Sequence, residues 1–219
     1  MTALDRIRVI THSAIRIESE DGIVVYADPF NLTDAEAAHD ADLILVTHGH
    51  FDHLSPEDIA RVADAGTALV APASLADEVA ELGMAQAHLM RADEHLELAG
   101  IGIEAVAAYN VEPERLGFHP SSNNWLGYVL TIEGERLYIA GDTDRNPDNA
   151  RVSCDVALIP IGGTYTMDPV QAAEFVNEIR PKTAIPTHYG SVAGSAADYA
   201  TFAAAVDPAI QVVKRMERL

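Results

Sequence analysis

The sequence predicts an α/β fold of four layers, an αββα sandwich formed as a single domain over residues 1–219. Three observations predict it. Strand-like and helix-like segments alternate in both halves of the chain, which points to sheets covered by helices. The run "DLILV" at 42–46 is continuously apolar, the mark of a strand buried on both faces. A length of 219 residues with 48% hydrophobic content suits one layered domain with a sizeable core. Two sheets packed face to face with helices outside is the simplest layering that buries all of these faces.

In chain order, short strands are expected at 7–10, 14–17 and 23–28, with Asp21-Gly22 as a tight turn between the last two. The strand at 42–46 follows. Ser55 then caps a helix that has Pro56 in its first position, Glu57 and Asp58 in its first turn, and Gly66 to stop it after about Ala65. A strand at 67–72 leads to a helix at 74–82, which Gly83 ends. The middle reads as a meander of strands at 95–98, 102–109, 126–133 and 136–141. Strands at 155–161, 183–188 and 210–214 complete the sheets. Between them, Asp168-Pro169-Val170-Gln171 forms a capping box for a helix to about Arg180, and Ser195 to Asp198 open a last helix to about Val206.

Charge excludes some partners. Lys plus Arg is 14 and Asp plus Glu is 34, a net charge of −20. Nucleic-acid affinity rests on Lys and Arg contacts to phosphate, so no nucleic-acid partner is expected. The single cysteine, Cys154, reads as a small buried residue, rules out an intramolecular disulfide and suits a reducing compartment. The N-terminus "MTALDRIRVI" has no signal-peptide core, and no stretch approaches the roughly 18 apolar residues of a membrane span. A cytoplasmic protein with no membrane partner is expected.

The strand at 42–46 runs into "HGHFDH", which places His48, His50, Asp52 and His53 on one turn before a capped helix. Loops at the C-terminal edge of a sheet are where α/β folds commonly put ligands. Histidines bunched only to serve a core would each need a buried hydrogen-bond partner. Imidazole and carboxylate are instead good ligands for zinc, manganese or iron. His48 and His50, two apart, can point the same way from an extended stretch, while Asp52 and His53 follow the bend. Such a turn can face two ions, with one pair of ligands for each. Two ions about 3.5–4 Å apart can share a hydroxide and clamp a substrate oxygen. More ligands must then arrive from later strands. Asp142, at the strand end "LYIAGDTD", can bridge two ions or simply make a Gly-Asp turn, and His188, in "TAIPTHYG", is by itself an ordinary strand-end histidine.

Together, "THGHFDH", "GDTD" and "PTHYG" resemble the metallo-β-lactamase-fold hydrolases. With "THSAIRIE", "DPF" and "IPIGGTYTMDP" added, nearly the whole chain is similar to the compact metal-dependent hydrolases related to L-ascorbate-6-phosphate lactonase. The resemblance implies that His48 and His50 hold a first metal ion, that Asp52 and His53 hold a second, that Asp142 bridges both and that His188 completes the second. It also implies a histidine for the first ion some two dozen residues before the bridging aspartate. His119 stands there in "LGFHPSSNNW", and Asn110 in "AVAAYN" is the competing position. An amide oxygen is a poor zinc ligand beside an available imidazole, so His119 is expected to bind and Asn110 to support it or touch substrate. His12, Asn123, Arg145 and Tyr165 are further candidates around the site or substrate, Arg145 either as the best-placed cation for an anionic group or as the partner of one of the chain's many acids. His39, His88 and His95 have no motif around them and are expected at the surface.

The expected activity is hydrolysis of an ester, lactone or phosphoester bond in a small molecule by a metal-bridging hydroxide. Asp52 orients the nucleophile and carries a proton to the leaving group. Two divalent ions are expected, zinc ahead of manganese or iron, and assembly into a homo-oligomer is compatible with the resemblance. The rival functions are a nuclease or phosphodiesterase, di-iron redox chemistry, and metal binding without catalysis. The fold is common to all of them, so the site must decide.

Overall fold

In the computed structural model, which describes residues 6–219, neighbouring side chains of the N-terminal strands part to opposite sides. The strands are β1 (Ile7–Thr11), β2 (Ala14–Glu18), β3 (Val24–Ala27), β4 (Ala41–Leu45) and β5 (Ala63–Pro72). Val25, Ala27, Leu43, Leu45 and Val70 enter one core, whereas Val24, Tyr26, Ile44 and Leu69 enter another. This is the two-residue period of a pleated strand, and apolar residues at both phases bury both faces, as "DLILV" predicts.

The remaining strands are β6 (Gln86–Met90), β7 (His95–Leu98), β8 (Ile101–Ala107), β9 (Leu126–Ile132), β10 (Glu135–Ile139), β11 (Val156–Pro160), β12 (Thr183–Thr187), β13 (Gln211–Val212) and β14 (Met216–Arg218). Among the described residues they form two seven-stranded sheets, ordered β14-β1-β2-β3-β4-β5-β6 and β13-β12-β11-β10-β9-β8-β7. Helices α1 (Pro56–Val62) and α2 (Ala76–Glu81) set Ile59, Val62 and Val79 against the outer side of the first sheet. Helices α3 (Pro169–Ile179) and α4 (Asp198–Ala205) set Phe175, Val176 and Phe202 into the core of the second. The expected αββα order results.

Strands β3, β4 and β5 run parallel, as do β10, β11 and β12. Each sheet therefore gathers several strand ends, and the loops after them, at one edge. Two bonds lock the sheets together there. The buried Tyr128 hydroxyl donates to the Val46 carbonyl at 2.8 Å, and the Leu126 amide donates to the Thr47 carbonyl at 3.0 Å. The loop after β4 is thus fixed by both sheets.

The caps read from sequence are present at α1, where Ser55 accepts from the Asp58 amide, and at α3, where Asp168 and Gln171 form the box. Elsewhere boundaries differ. The first helix ends at Val62 rather than near Ala65, because Ala63 turns extended to pair with Ala41, and β5 runs straight through Gly66. Helix α4 begins at Asp198 without a side-chain cap, since Ser195 is tied instead to the Asp198 carboxylate. Strands β6 and β14 have no counterpart in the sequence reading. Cys154 is half-buried against the core, and burial pushes its thiol up to about 12. Among the described residues no helix is long and apolar enough to cross a membrane.

Gly127 shows how tightly β9 and β10 are drawn together near this edge. A Cβ there would stand 2.6 Å from the Ala140 carbonyl oxygen and 2.7 Å from that of Ile139. Neither acceptor can retreat without moving the loop that carries Asp142. Gly127→Ala is expected to destabilise the protein by about 1–3 kcal/mol, the usual range for overpacking. Urea unfolding checks this, and an unchanged midpoint would contradict it.

Candidate metal centre

The turn after β4 is folded by its own backbone. The amides of His53 and Leu54 both donate to the His50 carbonyl, at 3.0 and 2.8 Å. That curl gathers His48, His50, Asp52 and His53 over one small space, with the His48 and His53 rings 3.9 Å apart. His48 Nε2 and His50 Nδ1 lie 3.1 Å apart, a separation that fits two ligand atoms on one ion. His48, His50 and His119 form one group of nitrogens that could hold a metal ion, His12, Asp52, His53 and His188 form a second, and His48, His53 and Asp142 form a third that links them.

Asp142 stands between the groups. Its Oδ2 is 3.2 Å from His119 Nε2, 2.9 Å from His188 Nε2 and 4.0 Å from His48 Nε2, while its Oδ1 is 3.4 Å from His53 Nε2. The loop after β10 delivers it. Gly141 precedes it at φ +64°, a left-handed conformation that favours glycine, and a Cβ there would press on Thr47 and on the Leu126 carbonyl. His188 follows β12, its amide donating to the His12 carbonyl at 2.9 Å. Gly162, after β11, lies so close under His188 that any Cβ would strike the His188 carbonyl oxygen.

Asp28, which follows β3, fixes the loop from beneath. One carboxylate oxygen accepts from the Thr47 amide at 2.8 Å; the other meets Thr47 Oγ1 at 2.7 Å and His53 Nδ1 at 2.7 Å. With the proton on Nδ1 shared with Asp28, His53 presents Nε2 to the centre. Thr47 Oγ1 also lies 3.0 Å from His48 Nδ1 and sets that ring in the same sense. Such outer partners orient metal-binding imidazoles and raise their basicity. The sequence reading quoted "DPF" without giving Asp28 a role.

His119 is braced by a second buried network. Asn110 donates from Nδ2 to the carbonyls of Arg115 and Tyr165, and the same nitrogen lies 3.2 Å from His119 Nδ1. The Asn110 amide donates to the His119 carbonyl at 2.8 Å. Arg115, buried, pairs with the buried Asp144 at 2.8 Å, and Asp144 also accepts from the amides of Val111 and Glu112. His119 is therefore the residue brought to the first group, and Asn110 supports it from behind.

The other candidates divide. His12 is buried within the second group, with Nε2 3.1 Å from Asp52 Oδ2 and Nδ1 3.2 Å from Ser191 Oγ. Tyr165 contributes its carbonyl to Asn110 and packs its ring edge-on to Phe118 at 4.9 Å. Arg145 is not poised for an anion, because Glu178 holds its guanidinium through two bonds, at 2.6 and 2.9 Å. Asn123 ends a short 3-10 turn, Ser121–Asn123, while its neighbours Asn124 and Trp125 line a cavity of about 630 Å³. Trp125 packs against the ligands themselves: its ring lies 4.9 Å from those of both His48 and His50 and 5.7 Å from that of His119. His39 and His95 are exposed, and His88 lies half-buried on the edge strand β6.

Burial and charge set the protonation of the cluster. Burial pushes His48 well below the usual histidine range, and pushes His12 down to about 4. Burial acts the same way on His53, but the carboxylates of Asp142, Asp28 and Asp52 outweigh it and raise this imidazole to about 9. For Asp52, burial works to raise the carboxyl, but the His12 bond and the His53 charge hold it at about 2. An arriving cation must therefore displace the His53 proton, so uptake strengthens as pH rises toward 9.

Buried polar atoms are nearly always hydrogen-bonded. Here the Nε2 atoms of His53, His119 and His188 and Oδ1 of Asp142 are buried without a hydrogen-bond partner. All four face the same small space. Nitrogen and carboxylate donors in this number suit a divalent cation, so the residues fit a metal centre.

Comparison with known proteins agrees. Residues 6–188 match the family described as "Beta-lactamase superfamily domain". A UPF0173 metal-dependent hydrolase of Pelotomaculum thermopropionicum is 36% identical over 216 residues, covering 93% of this chain and 92% of that one. A second, from Methanopyrus kandleri, is 35% identical over 196 residues, covering 85% of this chain and 84% of its own. The solved structure of a candidate metal-dependent hydrolase from Parabacteroides distasonis superposes with a TM-score of 0.83 at 30% identity, covering 96% of this chain and 93% of that one.

Asp28 is the residue through which the centre can be probed without touching a ligand. Asp28→Asn is expected to leave a folded protein that binds zinc about 10–100-fold more weakly, the usual cost of losing such a partner. Competition with a chromophoric chelator measures it, and wild-type affinity in the variant would contradict the role given to Asp28.

Proposed function

The chain belongs to the β-lactamase superfamily, within its UPF0173 metal-dependent hydrolases, and from that premise we propose that it cleaves an ester, lactone or phosphoester bond in a small molecule using two divalent ions, zinc before manganese or iron. The carrying observation is the ring of buried ligand atoms around Asp142 that lack hydrogen-bond partners. His48, His50 and His119 would hold one ion, Asp52, His53 and His188 the other, and Asp142 would touch both. When bound, such ions polarise the scissile carbonyl or phosphoryl oxygen and lower the pKa of water toward neutrality.

The protein's own groups then have distinct tasks. Asp52 keeps its carboxylate ionised and directs Oδ2 into the site, where it can orient the attacking water and pass a proton to the leaving group. His12 holds that oxygen from behind at 3.1 Å and is itself held by Ser191. Burial keeps His12 neutral, which lets it donate from Nε2 to Asp52 and accept on Nδ1. Asp28 and Thr47 fix the rings of His53 and His48, so their lone pairs stay aimed inward. The 630 Å³ cavity beside Trp125 falls within the usual size of a small-molecule site; none of the candidate ligands lines it, and Trp125 is the wall that separates it from the first group.

Within the superfamily, the motifs "THSAIRIE" and "IPIGGTYTMDP" support a place near the compact lactonases. A net charge of −20 supports a small-molecule substrate over a nucleic acid, and the single cysteine supports a cytoplasmic setting.

Asp142→Ala is expected to lose both metal and activity while keeping its fold. Metal analysis, circular dichroism and a panel of nitrophenyl esters, lactones and phosphodiesters check this. Full activity in a folded Asp142→Ala protein would sink the two-ion reading, and turnover of the phosphodiesters alone would favour the nuclease class.

A further inference from the structure

Among the described residues, eight large hydrophobic side chains are exposed, and they are not scattered evenly. Phe51, Leu116, Phe118 and Val192 each lie within four residues of a candidate ligand, and Val111 adjoins Asn110. Phe51, at 68% exposure, sits inside the "HGHFDH" turn itself. Exposed apolar groups clustered around a site mark a binding surface.

The cluster lies on the loops that carry the ligands. Of the seven candidate ligands only His50 is partly exposed, so the centre opens to solvent at His50. Phe51 follows it in the chain, and the rings of Trp125 and His119 stand 4.9 and 5.0 Å from it. Phe51 is propped edge-on by Phe30 at 5.7 Å, and Phe30 rests in turn against His12 at 6.2 Å. On the other flank Phe118, beside His119, is propped by Tyr165. These rings are supported from within the site, which holds them as a collar.

Two arginines near the site are already held by carboxylates. Arg115 is buried on Asp144 and Gln171, and Arg145 is held by Glu178. Arg91, in the lining of the Trp125 cavity, is exposed and has Glu94 at 3.9 Å, while Asp148 in the same lining adds a negative charge beside it. Glu112 and Glu114 lie on the segment that carries Leu116 and Phe118, which adds negative charge near the entrance.

We propose that this collar selects an uncharged ester or lactone carrying an aliphatic chain or aromatic ring, and disfavours phosphorylated substrates. The proposal rests on the hydrolase reading for the bond cleaved, but the collar's preference for apolar chains can be measured without catalysis. Trp125 is the only tryptophan and touches the first group, so its fluorescence reports occupancy.

The protein as purified, with metal content determined, is titrated with the methyl, butyl and hexyl ethers of 4-nitrophenol, which hydrolysis does not cleave. A fully buried methylene tightens binding about fourfold. With partial burial on the collar, the hexyl ether is expected to bind at least tenfold tighter than the methyl ether. Phe51→Ser and, separately, Phe118→Ser should reduce that ratio several-fold with metal content unchanged. A ratio near one in the wild type, or a ratio that survives both substitutions, overturns the collar. So does a loss of preference accompanied by a drop in particle mass on light scattering, which would make the patch an interface between copies. In the parallel assay 4-nitrophenyl hexanoate should be turned over faster than 4-nitrophenyl acetate and 4-nitrophenyl phosphate. Preference for the phosphate overturns the substrate class, whereas no turnover of any of them counts against the hydrolase reading and leaves the ether series to decide the collar.

Discussion

A carboxylate taken out of water must be met by positive charge or by hydrogen bonds. Asp142 is buried, one of its oxygens has no hydrogen-bond partner, and the groups within 4.0 Å of it are imidazole nitrogens of His48, His53, His119 and His188. Not all of those rings can supply the missing charge, since burial holds His48 neutral even though the surrounding carboxylates raise His53. The arrangement is costly as a polar cluster and favourable as a ligand set. Cations bound on either side of Asp142 would satisfy its oxygens and the histidine nitrogens at once. The rest of the molecule can be understood as the means of holding these atoms still.

Several separate devices do this. Parallel strands bring the loops after β3 and β4, and those after β10 and β12, to sheet edges where ligands converge. The Tyr128 and Leu126 bonds tie the "HGHFDH" loop to the opposite sheet. Asp28 serves two rings through Thr47 and His53, and the Arg115–Asp144 pair steadies the long segment that ends in His119. Gly141 and Gly162 keep side-chain atoms out of space the backbone needs. Preorganisation of this kind is what places reacting groups at the right distance before the substrate arrives.

Much of this was legible in the sequence, for identifiable reasons. Four ligand-type residues in six positions cannot be explained by packing, so "HGHFDH" announced itself. Asp142 and His188 gained meaning because each ends a strand, and strand ends are where sheets present side chains to ligands. His119 was reached through imidazole chemistry and family spacing, since it lies in an irregular segment with no periodicity to place it. Asp28 passed unnoticed because a carboxylate after a strand is also the commonest kind of turn residue, and only the fold shows that His53 meets it. For Arg145 the sequence offered both an anionic substrate and an acidic partner, and only the fold shows that Glu178 holds it. Strand β6, an edge strand with little buried surface, and β14, only three residues long, lack the alternation that identifies a strand.

The two halves of the proposed site make different demands on the chain. The inner half needs charge, burial and fixed tautomers; the collar needs exposed rings that water would otherwise disfavour. Both come from the same loops, so the residues that hold the ions also frame the entrance. The central claim is that Asp142 joins two ions. Anomalous diffraction from crystals grown with zinc tests it most directly. The account predicts two peaks, one among His48, His50 and His119 and one among Asp52, His53 and His188, with an Asp142 oxygen bound to each. A single peak in fully loaded crystals, or two peaks with Asp142 bound to neither, would contradict it.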